Sequence, residues 1–255
     1  MDRLIYVAGS GASRTLEHQA ALSNNMANVS TPGFRAQFAA YRAVPITVQG
    51  QDPATTTRVA TATATANNKL ENGPIQTTGR DLDIAIQGDG WIAVQTPDGE
   101  AYTRAGNLQR NAQGQLVTAT GQLVLSAEGA PIDLGDSETI QFDRNGGINS
   151  RPNGGRPRDL QRVAQIKLVN PDPATLVRGG DGLFRSVGAN GQAQVTPADP
   201  QVRVIGGALE GSNVSAAENM VGLIENARRF EMHMKMVADA NQNEQKANSI
   251  LSMNG

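Results

Sequence analysis

Ser215-Ala216-Ala217-Glu218-Asn219-Met220-Val221-Gly222-Leu223-Ile224-Glu225-Asn226-Ala227-Arg228-Arg229-Phe230 is the stretch on which the fold turns. Ser215 and Glu218 stand at the spacing of a capping box, in which each side chain satisfies a free backbone N–H at a helix start. Met220, Leu223, Ala227, Phe230, Met234, Val237, Asn241, Glu244, Asn248 and Leu251 then follow at alternating steps of three and four, the heptad period. Neither Gly nor Pro interrupts from Leu223 to Asn254. The spacing predicts one helix over roughly 213–252, about 60 Å long at 1.5 Å per residue.

The other end of the chain mirrors it. Residues 1–30 lack proline, and Asp2 is placed to cap a first turn. Ile5, Ala8, Ala12, Thr15, Gln19, Leu22, Met26 and Val29 repeat the three-four spacing, and Thr31-Pro32-Gly33 supplies a tight turn with glycine where φ is positive. Both seams are thin, built from Ala, Thr, Gln, Asn and Glu. They are expected either to pair with each other, loosely in the monomer and tightly in an assembly, or to lie as two surface helices on the body between them.

That body reads as β. Leu82, Ile84 and Ile86 alternate with polar residues, as do Ile92 and Val94, Ile140 and Phe142, Ala164, Ile166 and Leu168, and Val202 and Val204. Asp98-Gly99, Gln113-Gly114, Asn145-Gly146 and Asn190-Gly191 punctuate them as hairpin turns. Between the first helix and this body, Pro45, Gly50, Pro53 and the Ala/Thr run from Ala54 to Ala66 read as an extended arm. The expected class is α+β: discontinuous N- and C-terminal helices (1–35 and 210–255) forming a coiled-coil domain, a linker arm (36–80) and a central, mostly β domain (81–209).

The 255 residues carry a formal net charge of −2, with both signs interspersed, which gives no field for nucleic acid or anionic membranes. Arg151, Arg156, Arg158 and Arg162 form a local exception, read as a solvated loop before a phosphate site. With no cysteine, disulfides and thiolate metal sites are excluded. No apolar run approaches the roughly 20 residues that span a bilayer, and Met1–Ala8 is too short and too polar afterwards for a cleaved export signal. His18 and His233, one in each terminal helix with Glu17 and Glu231 beside them, form too small a set for a metal centre. Gly9-Ser10-Gly11 is no nucleophile elbow. Gly179-Gly180-Asp181-Gly182 lacks a Walker lysine, and Asp143-Arg144-Asn145-Gly146 lacks the spacing of a calcium loop. No catalytic constellation can be assembled, so no cofactor and no enzymatic activity are expected. An assembly subunit or a soluble ligand-binding β domain remain.

Three stretches carry a specific resemblance. Ser23-Asn24-Asn25-Met26-Ala27-Asn28-Val29-Ser30-Thr31-Pro32-Gly33-Phe34-Arg35 resembles the N-terminal signature of the flagellar axial proteins of rod and hook, S-N-N-L-A-N followed by T-x-G-F/Y-R/K. Gly88-Asp89-Gly90-Trp91, Tyr102-Thr103-Arg104-Ala105-Gly106 and Gly114-Gln115-Leu116-Val117-Thr118 resemble the G-x-G-F/W, Y-T-R-x-G and G-x-L-V-T segments of their β domain. Gly207-Ala208-Leu209-Glu210-Gly211-Ser212-Asn213-Val214 and Arg228-Arg229-Phe230-Glu231 resemble their C-terminal G-x-L-E-x-S-N-V and the R-x-Y/F-E helix. All three occur in the family's order, and Met1–Tyr6, Thr31–Arg35 and Arg228–Met232 are most similar to the proximal-rod branch, with a distal-rod or hook-type axial subunit as the alternative within the family.

The resemblance implies a structural rod subunit. Its terminal helices would line an export channel, and the chain would pass unfolded through the flagellar type III export apparatus into a periplasmic rod. Partners would be copies of itself and other proximal and distal rod subunits, with no nucleic acid and no membrane insertion. The expected assembly residues are Ile5, Ala8, Ala12, Leu22, Asn25, Met26, Asn28, Val29, Gly33 and Phe34, and then Leu209, Ser212, Asn213, Val214, Met220, Leu223, Ala227, Phe230, Met234 and Val237.

Overall fold

The computed structural model describes residues 2–45, 59–135, 137–152, 160–188 and 190–253. Its order is one helix, a long β-rich middle and a second helix, an α+β chain. It divides into two units, the first from residues 1–29, 36–69 and 214–255, the second from residues 30–35 and 70–213.

The first unit holds α1 (Asp2–Ala27) and α2 (Ala216–Met253). Ser215 Oγ accepts the Glu218 N–H at 3.3 Å, the serine half of the expected box. The helices pack antiparallel. Leu22 lies against Gly222 and His233 against Gly11, while Asn226 reaches Thr15, His18 and Gln19 between them. A Cβ at Gly11 would meet the His233 ring, which would have to shift to make room.

The same unit contains a two-stranded antiparallel ribbon, Gln37–Pro45 with Val59–Asn68. The linker arm expected over 36–80 is therefore paired for much of its length. Strand pairing uses main-chain hydrogen bonds and needs no apolar side chains, so an Ala/Thr sequence pairs without showing a hydrophobic period. Residues 54–58 of that run, like Gly50 and Pro53, lie outside the described residues. The last part of the expected arm, 70–80, belongs to the second unit, where Ile75–Thr77 pairs with Ala208–Glu210.

The second unit is the β body. Trp91–Thr96 and Gly99–Thr103 form its central hairpin. On its other edge Trp91–Thr96 pairs with Leu123–Val124 and Leu168–Val169, and Gly99–Thr103 meets Phe184–Val187 through Tyr102. A three-stranded sheet of Ser137–Phe142, Gly147–Pro152 and Gln161–Gln165, and the pair Ile84–Gln87 with Arg203–Gly206, complete the frame. The central strand buries both faces. Ile92 and Val94 enter a large aliphatic core with Ile84, Leu116 and Ile148, while Trp91 and Ala93 enter a smaller one with Tyr102 and Phe184. Each such large side chain taken from water contributes about 1.5–3 kcal/mol.

The glycine turns weighed against chemistry are hairpin turns. Asp143 Oδ1 accepts the N–H groups of Asn145 and Gly147 at 2.8 Å, with Gly146 at φ 79. At 179–182, Asp181 grips Arg185 at 2.7 Å and caps the Leu183 N–H. Among the arginines of the basic run, Arg151 bonds Thr139 and Arg162 bonds Gln165, and Arg156 and Arg158 lie outside the described residues. No helix among the described residues is long and apolar enough to cross a membrane.

Candidate assembly interface

The chain's N-terminal turn, its central β hairpin and its last strand meet on one carboxylate. Glu210 sits on the strand Ala208–Glu210 and is 1% exposed. Its Oε1 takes Arg35 Nη2 at 2.8 Å and the Gly73 N–H at 2.9 Å, and its Oε2 takes Arg104 Nη1 at 2.8 Å. Arg35 also donates to Asn72 Oδ1 at 3.1 Å, and Arg104 to the Gly88 carbonyl at 2.6 Å. Burial lowers the pKa of Arg35, the Glu210 carboxylate opposes that shift, and the neighbouring Arg104 adds to it.

Two guanidinium groups share the one buried carboxylate, and Asp89 adds a weaker attraction for Arg35. Arg35 Nε and Nη1 and Arg104 Nε find no hydrogen-bond acceptor among the described residues. Both guanidinium groups instead lie over the Trp91 ring, at 5.9 and 5.5 Å from its centroid, where the electron-rich face attracts them. Arg178 repeats the motif over Phe34 at 4.6 Å and donates to the Arg35 carbonyl.

The turn residues lock into the same joint. Gly33 has φ 68, donates its N–H to the Glu210 carbonyl at 2.8 Å, and lies so near the Arg104 carbonyl that a Cβ would overlap it. The Asn213 N–H reaches the Phe34 carbonyl at 3.3 Å, and the Asn213 amide reaches the Glu71 carbonyl. Sequence reading took Gly33, Phe34, Leu209, Ser212 and Asn213 as interface residues. The structure places Phe34 and Ser212 in the interior of the single chain and half-buries Gly33, Leu209 and Asn213. Their side chains close the fold of one subunit, and the triad that unites them escaped sequence reading. Its members were in view, because Arg35, Arg104 and Glu210 each lie in one of the three signature stretches, the latter two among other charged residues.

In the helical unit, Asn25 acts as a surrogate peptide group. Its Nδ2 donates to the Gln37 carbonyl and its Oδ1 accepts the Gln37 N–H, both at 2.8 Å, which fixes where the ribbon leaves α1. Asn28 Nδ2 donates to the Asn24 carbonyl at 2.8 Å, beside the Asn28 main-chain N–H that bonds the same oxygen at 3.2 Å, and so reinforces the helix end. Ala8 and Ala12 are buried, and Ile5, Leu22, Met26 and Val29 are half-buried; Val214, before α2, is buried.

On α2 the seam read from the sequence is half displaced. Leu223, Phe230 and Val237 are half-buried as expected, but Met220, Ala227 and Met234 are exposed. The inward positions beside the first three are Asn219, Asn226, His233 and Ala240. At Asn226 polarity explains the shift. Asn226 Nδ2 donates to the Thr15 carbonyl and to Gln19 Oε1, both at 2.8 Å, and Ala240 allows close approach where methionine would hold the helices apart. His18 meets Asn226 while His233 meets Gly11, seven residues along α1, so the two histidines are not brought together. No group of three His, Cys, Asp or Glu side chains suited to a metal converges among the described residues.

Comparison with known proteins sorts these features. Residues 5–35 match the family described as flagella basal body rod protein, and 85–150 match the D1 domain of the flagellar hook protein FlgE/F/G. Residues 205–250 match the flagellar basal body rod FlgEFG protein C-terminal family. Each matched region contributes one member of the buried triad: Arg35, Arg104 and Glu210. The chain is 45% identical over 257 aligned residues, 99% of its length and 100% of the relative's, to the flagellar basal-body rod protein FlgF of Salmonella typhimurium. It is 44% identical to the FlgF of Escherichia coli over the same span, 99% of this chain and 100% of that protein. To the flagellar basal-body rod protein FlgG of Agrobacterium fabrum it is 30% identical, over 94% of this chain and 96% of that one. By this full-length likeness the chain belongs to the FlgF family of flagellar basal-body rod proteins.

Proposed function

We propose that the chain is a structural subunit of the proximal flagellar rod, joined axially through its terminal helices to copies of itself and to other rod proteins. The full-length identity to FlgF relatives carries this reading. The geometry accords with it. A few charged residues close internal joints such as Arg35–Glu210–Arg104, while Met220, Ile224, Met232, Met234 and Met236 of α2 stay exposed. Exposed apolar side chains along one long helix are what a subunit saves for its neighbours. In this reading the helices line the export channel and transmit torque. The chain reaches the periplasmic rod through the flagellar type III apparatus without a cleaved signal. Its role is mechanical rather than enzymatic and involves neither nucleic acid nor insertion into a membrane.

Deleting the gene in its source bacterium and imaging purified basal bodies tests the proposal. A persisting inner-membrane ring with a rod missing or cut short near its base is the expected result. Complete rods and hooks would overturn it.

A further inference from the structure

The second helix carries more apolar surface than α1 covers, and that surface falls on two sides. At about 100° per residue, Met220, Ile224, Ala227 and Met234 form a stripe beside the face that meets α1. On α1, Gly9, Ser13, Leu16 and Ala20 form an exposed stripe of mostly small residues, displaced in the same rotational sense from its own inward face. Because the helices run antiparallel, the two stripes emerge on one side of the pair and wall a groove. At its floor is a cavity of about 170 Å³ lined by Thr15, Leu16, Gln19, Asn226, Ala227 and Phe230, room for one methionine-sized side chain. On the opposite side, displaced in the opposite sense, α2 exposes Val221 (56%), Met232 (59%) and Met236 (40%).

We propose that this groove receives the Val221–Met232–Met236 edge of α2 from a second copy of the chain. The inference rests on the rod-subunit reading and names the contact that reading needs. Two observations select a second copy. The groove is continuous with the α1–α2 interface, so a third helix extends packing the chain already makes. The knobs that suit it, slender methionines facing a stripe of Gly, Ser, Leu and Ala, lie on this same molecule on the side that cannot fold back into its own groove. A contact between two different patches of identical subunits is heterologous and does not close on itself, so each added copy presents a fresh groove and the series grows as a helix.

The chain has no cysteine, so single substitutions give defined cross-links. Ala227→Cys on the groove wall and Met232→Cys on the opposite edge would be expressed singly and together in cells lacking the native gene. Basal bodies would then be purified and oxidised. The expected result is a disulfide-linked dimer in the co-expressed sample, at least tenfold above either variant alone. Equal dimer in a single variant would mean like patches meet. No dimer in any sample, with both variants present in basal bodies, would mean another occupant fills the groove. Either result overturns the proposal. Leu16→Cys with Met236→Cys repeats the test from the α1 wall of the groove, should the first pair fail to incorporate. If the unsubstituted chain itself is missing from basal bodies, the rod reading has failed and the inference falls with it.

Discussion

Glu210 holds two guanidinium groups in the interior, so its charge is worth more than its size. Glu210→Gln keeps the shape and leaves Arg35 and Arg104 without their anion. Breaking a buried pair by removing one partner costs about 3–5 kcal/mol, and a denaturant titration followed by Trp91 fluorescence should lose that much. Trp91 is the single tryptophan and lies against both arginines, so the signal is local. Gly33→Val meets two obstacles, a left-handed φ of 68 and the Arg104 carbonyl, and should destabilise the same unit by about 3 kcal/mol or more in the same titration. Tyr102 provides a test by pH. Burial raises its phenol pKa above 10.0, and its oxygen accepts the Thr196 N–H at 2.8 Å. A raised folded pKa contributes stability that is complete below the unfolded value and is lost as pH climbs from about 10 towards the folded one. Alkaline titration of tyrosine absorbance should show one phenol ionising late, above the ordinary tyrosine range, and Tyr102→Phe should remove it. At this scale the sequence was legible wherever a residue acts on backbone close to it along the chain, as Gly33 and Ser215 do. The triad was not, because Arg35, Arg104 and Glu210 are far apart along the chain and no local period links them.

Helices and ribbons show the same division between local pattern and long-range choice. The three-four spacing locates α1 and α2, but not which of two overlapping faces on α2 turns inward. Hydropathy favours Met220, Ala227 and Met234. The fold instead selects Asn219, Asn226, His233 and Ala240, of which Asn226 hydrogen-bonds to α1 and His233 packs against Gly11. Asn226→Ala should therefore loosen the helix pair by about 1–3 kcal/mol, the cost of stranding the groups it serves. Met220→Ala, on the exposed side, should change monomer stability little. The ribbon Gln37–Pro45 with Val59–Asn68 was illegible for another reason: alternating Ala and Thr presents no face to a core, and its register depends on main-chain bonds and on Asn25 gripping Gln37. Helix lengths make a further prediction. With 26 residues in α1 and 38 in α2, the second helix is longer by about 18 Å, and its residues 241–246 are all exposed. Hydrogen exchange on the isolated chain should find amides beyond Ala240 exchanging fast, while those of Ile84–Gln87 and Trp91–Thr96 exchange last.

At the scale of the whole chain, stability and assembly are carried by different parts. The β unit has two cores and a buried charge joint of its own. The helical unit packs thin polar seams and keeps much of its apolar surface exposed. A charge placed on the helical seam should therefore disable assembly while sparing the β body. Phe230 is the sharpest position, because it lines the groove cavity and flanks the α1 contact. In Phe230→Asp a carboxylate would have to be desolvated whenever a neighbouring helix seats there, a cost of several kcal/mol that no opposite charge in that cavity offsets. The purified variant should keep the Trp91 fluorescence and denaturant midpoint of the parent's β unit. It should lose some helical signal in far-ultraviolet circular dichroism, and the cells should not swim. Leu223→Asp, one heptad earlier, should behave alike. Normal swimming by either variant would show that the α2 seam is not where subunits meet. Loss of the Trp91 signal would show that the β unit depends on the helices to fold, and the division of labour between the two would have to be abandoned.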